Sequence, residues 1–201
     1  MLSPKDGFPC LEIYNLIGYV MYTIIIPLPE NLLTAIDPYR QKYDPLANVI
    51  PSHIPLIDPF DFTQPIETLG EHLTEVSEIH SPIKVFLAGW DSYEGKDYQL
   101  HLPMTAGRSE LINLHYDLLG GPLSYLAAKI QDYWPRVVFG RFSDKSNYEA
   151  AKKSLDGFAP QLVVRVKNIA LLHRNEMGQP WQVVKQFGLK ATMTGRARRK
   201  K

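Results

Sequence analysis

Two short stretches decide the fold: Ile50-Pro51-Ser52-His53-Ile54-Pro55-Leu56, with Phe60, Phe62 and Thr63 behind it, and Trp134-Pro135-Arg136-Val137-Val138-Phe139-Gly140, with Phe142 and Ser143 behind it. Each is a brief run of strand-forming residues followed by an aromatic residue and a Ser or Thr able to cap a helix. Side chains alternate along a strand, so Ile54 and Leu56 share one face while His53 and Pro55 share the other; Val137 and Phe139 oppose Arg136 and Val138 in the same way. The apolar face belongs to the core in both. If the two halves oppose one another about a pseudo-twofold axis, His53 and Arg136 project into a cleft between them.

The flanking sequence repeats the same grammar. Tyr19 to Pro27 reads as a strand buried on both faces. Leu32, Leu33, Ile36, Tyr39 and Tyr43 recur at helical spacing, with Pro38 expected to kink or restart that helix. After the strand His53 to Asp58, Thr63 is the expected cap of a helix marked by Ile66, Leu69, Leu73 and Val76. Ile83 to Trp90 and Asp97 to Met104 flank a turn, and helical patterns at Leu111, Leu114 and Leu118 and at Leu123 and Leu126 are separated by Gly120-Gly121-Pro122. Ser143 is the expected cap of a helix carrying Tyr148, Ala151 and Leu155, and Gln161 to His173 should pair with Trp181 to Leu189 through a turn at Gly178. The expected fold is therefore α+β, with two pseudo-symmetric β-α-β lobes whose antiparallel sheets face a central cleft.

Composition narrows the class. The chain has 201 residues, 45% of them apolar and 21% charged, and a formal charge of +1, which describes a globular protein and excludes collagen, coiled coil and disorder. The single cysteine, Cys10, excludes an internal disulfide framework and a Cys-cluster zinc site and suits a reducing, cytoplasmic setting. The uncharged run Ile13 to Leu28 is interrupted by Asn15, Gly18, Thr23 and Pro27 and is shorter than the ~20 apolar residues a bilayer core requires, so no membrane partner is expected. Arg196, Arg198, Arg199, Lys200 and Lys201 concentrate the basic charge at one end, leaving an acidic body. That end is either a solvated terminus or a salt-sensitive grip on an RNA backbone. The expected organisation is an extension at 1–18, one bilobal domain at 19–190 and a basic tail at 191–201.

The echoed motifs resemble those of the two-histidine (2H) phosphoesterases, the 2′-5′ RNA ligase-like family, which carry one His-x-Thr/Ser-x motif per lobe. The resemblance runs from Tyr19 to Leu189; it includes Tyr39-Arg40-Gln41-Lys42-Tyr43-Asp44-Pro45, similar to a helix end of small bacterial members, and the closing hairpin from Leu171. It implies a 2′,3′-cyclic phosphate or an RNA end as substrate; no metal and no cofactor is expected, because the sequence holds no metal-ligand spacing and no Gly-rich phosphate loop. Of the four signature positions only His53 matches. Pro55 and Val138 stand where the hydroxyl residues belong and Arg136 where the second histidine belongs.

These departures have chemical consequences. Opening a cyclic phosphate needs a base for water, an acid for the departing ribose oxygen and donors for the phosphoryl oxygens, and two near-neutral imidazoles suit it. Arginine stays protonated, so Arg136 can clamp a phosphate but not exchange protons. Pro55 lacks a hydroxyl and an N–H, and Val138 has threonine's shape without its donor. Loss of one acid-base partner costs ~10²–10⁴ in rate. The expectation is a site in which His53 is the one acid/base and Arg136 the phosphate ligand, binding a phosphate, nucleotide or RNA end with weak or altered phosphodiesterase activity; the alternative is a non-catalytic protein-interaction module on the same scaffold.

Four further groups bear on the cleft. His173 shares a strand face with Ile169 and Leu171 and reads first as a core or edge histidine, or else as a cleft residue replacing the missing imidazole; His101, beside Gln99 and Pro103, carries the same two readings. Arg108 and Arg141 would widen a phosphate-binding patch or are plain surface cations. His72, His80 and His115 are expected at the surface, and no His-Glu-x-x-His spacing or Gly-rich phosphate loop occurs.

Overall fold

A computed structural model describes residues 20–95, 97–128 and 132–190. The expected extension at 1–18, the basic tail at 191–201 and Cys10 lie outside them. Chain order is β1 (Met21–Pro27), α1 (Glu30–Tyr43), β2 (His53–Asp61), α2 (Ile66–Ile79), β3 (Ile83–Ala88), β4 (Asp91–Glu94), β5 (Tyr98–Ala106) and α3 (Arg108–Leu118). A 3-10 turn at Gly121–Leu123 then leads into α4 (Ser124–Ala127), β6 (Arg136–Phe142), α5 (Lys145–Ser154), β7 (Gln161–Val166), β8 (Asn168–Arg174) and β9 (Gln182–Gly188). The fold is α+β with two antiparallel sheets. One runs β2-β1-β8-β9; in the other, β5 takes β6 on one edge and β4 and β3 in succession along the other, with β7 outside β3.

One apolar cluster joins both sheets to the helices, drawing Ile24, Ile54 and Leu171 from the first, Leu87, Leu100 and Phe139 from the second, and Ile36, Leu69, Leu73, Leu114 and Tyr148 from the helices. A smaller cluster of Ile25, Ile50, Ala170 and Leu172, covered by Trp181, occupies the other face of the first sheet. The stripe on α2 is the one its periodicity marks, with Leu69, Leu73 and Val76 buried.

The expectations fail where tertiary packing outranks local chemistry. α1 runs through Pro38 without a restart, because Ile36 is buried on one side of the proline while Tyr39 packs on Phe158 (4.0 Å) and Phe139 (6.4 Å) on the other. α2 starts at Ile66 and gains no side-chain cap from Thr63; the residue before Pro65 is pushed out of helical conformation, so the helix begins after the ring. Asp144, not Ser143, caps α5, accepting from the Asn147 N–H. The run 161–173 is two strands broken at Lys167, and they serve different sheets: β7 pairs with β3, while β8 pairs with β1 and β9. His115 is 1% exposed, not a surface group. Its position was legible, since it lies four residues after Leu111 and three before Leu118, on the apolar stripe.

Candidate functional site

The register of each sheet fixes what faces the site. Pro27 stands opposite His53 and Ile25 opposite Pro55, and directly opposed residues share a face, so His53 and Pro55 lie on the side of Ile25 and Ala170. Ile54, opposite Ile26, faces the main core. On β6, Arg136 stands opposite Pro103 and Val138 opposite His101. Phe139 is a bulge, with Leu100 and His101 facing Gly140 and Val138, and beyond it Arg141 stands opposite Gln99. Plain alternation would set Gly140 beside Val138; the extra residue sets Arg141 there instead. Arg136, Val138, Arg141, Gln99 and His101 thus share one face.

His53 is half-buried at the start of β2. Its Nδ1 lies 2.6 Å from the Pro51 carbonyl, which can only accept, so Nδ1 carries the proton and Nε2 keeps its lone pair. Burial, with the cations of Arg40 and Arg141 adding to it, pushes His53 down to about 4 against the opposing Pro51 bond and Asp44 charge. It is a neutral imidazole at physiological pH, a base or acceptor rather than an acid.

Next to it lies a buried ion cluster that the motifs did not single out. Asp44 Oδ2 pairs with Arg40 Nε (2.9 Å) and Arg141 Nη1 (2.5 Å), and its Oδ1 accepts from the Leu46 N–H (3.0 Å). Burial alone would raise the Asp44 carboxyl, but Arg141, Leu46 and Arg40 outweigh it and hold the group below the usual range. Arg40 also donates to Ser52 Oγ (3.3 Å) and the Leu46 carbonyl (3.2 Å), and Ser52 donates to Asp37 (2.6 Å). The four-residue spacing of Arg40 and Asp44 on a helix was the sequence signal for this pair. A cavity of about 880 Å³ opens beside it, walled by Tyr43, Asp44, Gln99, Arg141, Phe142 and Asn147 among others.

Arg136 is half-buried and, among the described residues, has no carboxylate in ion-pair reach. It donates to the Trp134 carbonyl (3.1 Å) and Gln99 Oε1 (3.2 Å), lies over the Trp134 ring at 5.1 Å, and leaves a buried Nε without a protein partner. Burial lowers its pKa, with Asp58 opposing and Arg141 adding; a guanidinium stays charged regardless. Arg141 therefore acts on both His53 and Arg136. Tyr133 ties the two strands together: its hydroxyl donates to the Pro55 carbonyl (2.7 Å), and its ring stacks on His115 (3.9 Å), whose Nδ1 bonds the Leu56 carbonyl (2.7 Å).

The other sequence candidates separate. Pro55 and Val138 offer no side-chain donor. His101 joins Val138 and Arg136 on the site face, fully buried against Trp134. His173 stands opposite Tyr22, 6.5 Å between rings, on the side of Ile169 and Leu171; strand alternation turns it away from the face of Pro55. Among the described residues no group of three or more His, Cys, Asp or Glu could hold a metal, and no helix is long and apolar enough to cross a membrane.

Comparison with known proteins agrees with the fold. A Bacillus licheniformis protein assigned the name phosphoesterase is 26% identical over 103 residues, a match covering 51% of this chain and 60% of that relative's length. Crystal structures of TT0787 of Thermus thermophilus and of Escherichia coli LigT in apo form share the fold, each with a TM-score of 0.57, at 16% and 15% identity; the superpositions cover 85% and 87% of this chain and 98% and 100% of theirs. The model of the 2′-5′ RNA ligase superfamily matches residues 28–178. That span covers well over half of the chain and holds both motif strands, β2 and β6, so the chain belongs to the 2′-5′ RNA ligase superfamily.

Proposed function

We propose that the groove flanked by His53 and Arg136 binds the phosphate of a nucleotide or an RNA end, and that phosphodiester chemistry there is weak or altered because a single signature imidazole remains. The observation carrying this reading is the charge pattern: a neutral imidazole with its Nε2 lone pair available lies in the field of Arg40 and Arg141, while Arg136 is half-buried and, among the described residues, has no carboxylate in ion-pair reach. Such a place favours an anion. Escherichia coli LigT has been crystallised with NADP+, ATP, 3′-AMP and phosphate, which supports the same ligand chemistry here. The lone Cys10 suits a cytoplasmic protein.

In opening a 2′,3′-cyclic phosphate, His53 Nε2 would accept the proton of the attacking water as the new O–P bond forms. The departing ribose oxygen would take its proton from solvent, because Arg136 can only neutralise charge. Two assays on the full chain test this. Isothermal titration with 3′-AMP should show binding that weakens with salt and falls at least 10-fold in Arg136→Ala. Hydrolysis of a 2′,3′-cyclic nucleotide should be slow and drop further in His53→Ala. Binding without turnover leaves a non-catalytic module on this scaffold; no binding at low salt defeats the proposal.

A further inference from the structure

We propose that His101 is a second imidazole of this site, taking an oxygen of a bound phosphate together with Arg136 Nε once the Trp134 side chain swings aside; this rests on the phosphate-binding reading above. His101 comes from β5, outside both signature motifs, and stands opposite Val138, where the hydroxyl donor is missing. It is 0% exposed, yet neither ring nitrogen has a protein partner among the described residues. A buried polar group left this way is destabilising, and a phenylalanine would fill similar space without leaving a polar atom unpaired. His115 is the contrast, a buried histidine anchored to the Leu56 carbonyl.

Three unpartnered nitrogens flank one indole. Trp134 meets the His101 ring edge-on at 4.6 Å and lies under the Arg136 guanidinium at 5.1 Å, whose Nε is the third. Trp134 is only half-buried and belongs to the irregular segment before β6, so it is the side chain this proposal requires to rotate. The charged groups bearing on His101 are Arg136 from β6 and Asp91, its opposite number on β4. Burial holds the ring neutral, pushed down to about 4, with Arg136 adding and Asp91 opposing. An arriving phosphate reverses that balance and favours a protonated, donating ring.

The test is NMR of the ¹⁵N-histidine-labelled full chain titrated with inorganic phosphate. The ring resonances of His101 should move in step with saturation and its pKa should rise by about a unit or more. Both responses should vanish in Arg136→Ala, and His101→Phe should weaken phosphate binding about 10-fold. The wild-type titration decides even if His101→Phe fails to fold. If phosphate saturates and shifts His53 while His101 stays still, and His101→Phe binds normally, the role of His101 is overturned and the phosphate site stands. If neither histidine responds, both readings fall.

Discussion

At the residue scale, the proposed site rests on three positions that differ from the two-histidine motif this chain resembles. Val138 keeps threonine's volume and loses its donor, Pro55 loses both a hydroxyl and an N–H, and Arg136 supplies charge where proton exchange is needed. The triple variant Pro55→Thr, Arg136→His, Val138→Thr should therefore hydrolyse a cyclic nucleotide faster than the wild type, by about 10²-fold or more if a full acid-base partner is restored. A well-folded triple variant with no gain in initial rate would count against the shared groove. Strand alternation in the sequence already put His53 and Arg136 on the faces opposite the core, and the sheet registers agree with that placement. It could not show that the proton of His53 is fixed on Nδ1, since that depends on the Pro51 carbonyl 2.6 Å away.

At the element scale, the bulge in β6 and the end of α1 build the cationic side of the proposed groove. Without the extra residue at Phe139, Arg141 would face the core side and Asp44 would lose one of its two partners. Asp44→Asn removes the carboxylate that buried Arg40 and partly exposed Arg141 share, and leaving Arg40 uncompensated should cost about 3 kcal/mol in urea unfolding. It should also push His53 still lower, because the Asp44 charge is what opposes the two arginines there. Unchanged stability would mean that the cluster is not buried as described. Periodicity revealed α1, α2 and both motif strands, but a bulge has no period of its own. The break at Lys167, which sends β7 and β8 to different sheets, carries neither Gly nor Pro to announce it.

At the scale of the whole molecule, three histidines are kept neutral by burial: His53, His101 and His115. Once unfolded, each takes up a proton near pH 6.5, whereas folded His53 and His101 do so only at about 4. Between those values the unfolded chain binds more protons, so stability is lost as pH falls from about 6.5 towards 4. For fully buried His101 that loss is on the order of 3 kcal/mol. Urea unfolding at pH 7, 5 and 4 should show a steady fall, and a flat profile would contradict the burial of these rings. The α+β class and the antiparallel lobes could be read from the two echoed motifs. The assembly of the first sheet from strands at both ends of the described chain, β2-β1-β8-β9, is a matter of long-range pairing that local sequence does not encode.

In the proposed site His53 and Arg136 serve one anion. A crystal structure of the full chain soaked with 3′-AMP would show whether they do. The phosphate should lie within hydrogen-bond reach, about 2.6–3.2 Å, of both His53 Nε2 and the Arg136 guanidinium. A phosphate held by only one of them, or by residues elsewhere while the groove stays closed, would contradict the account.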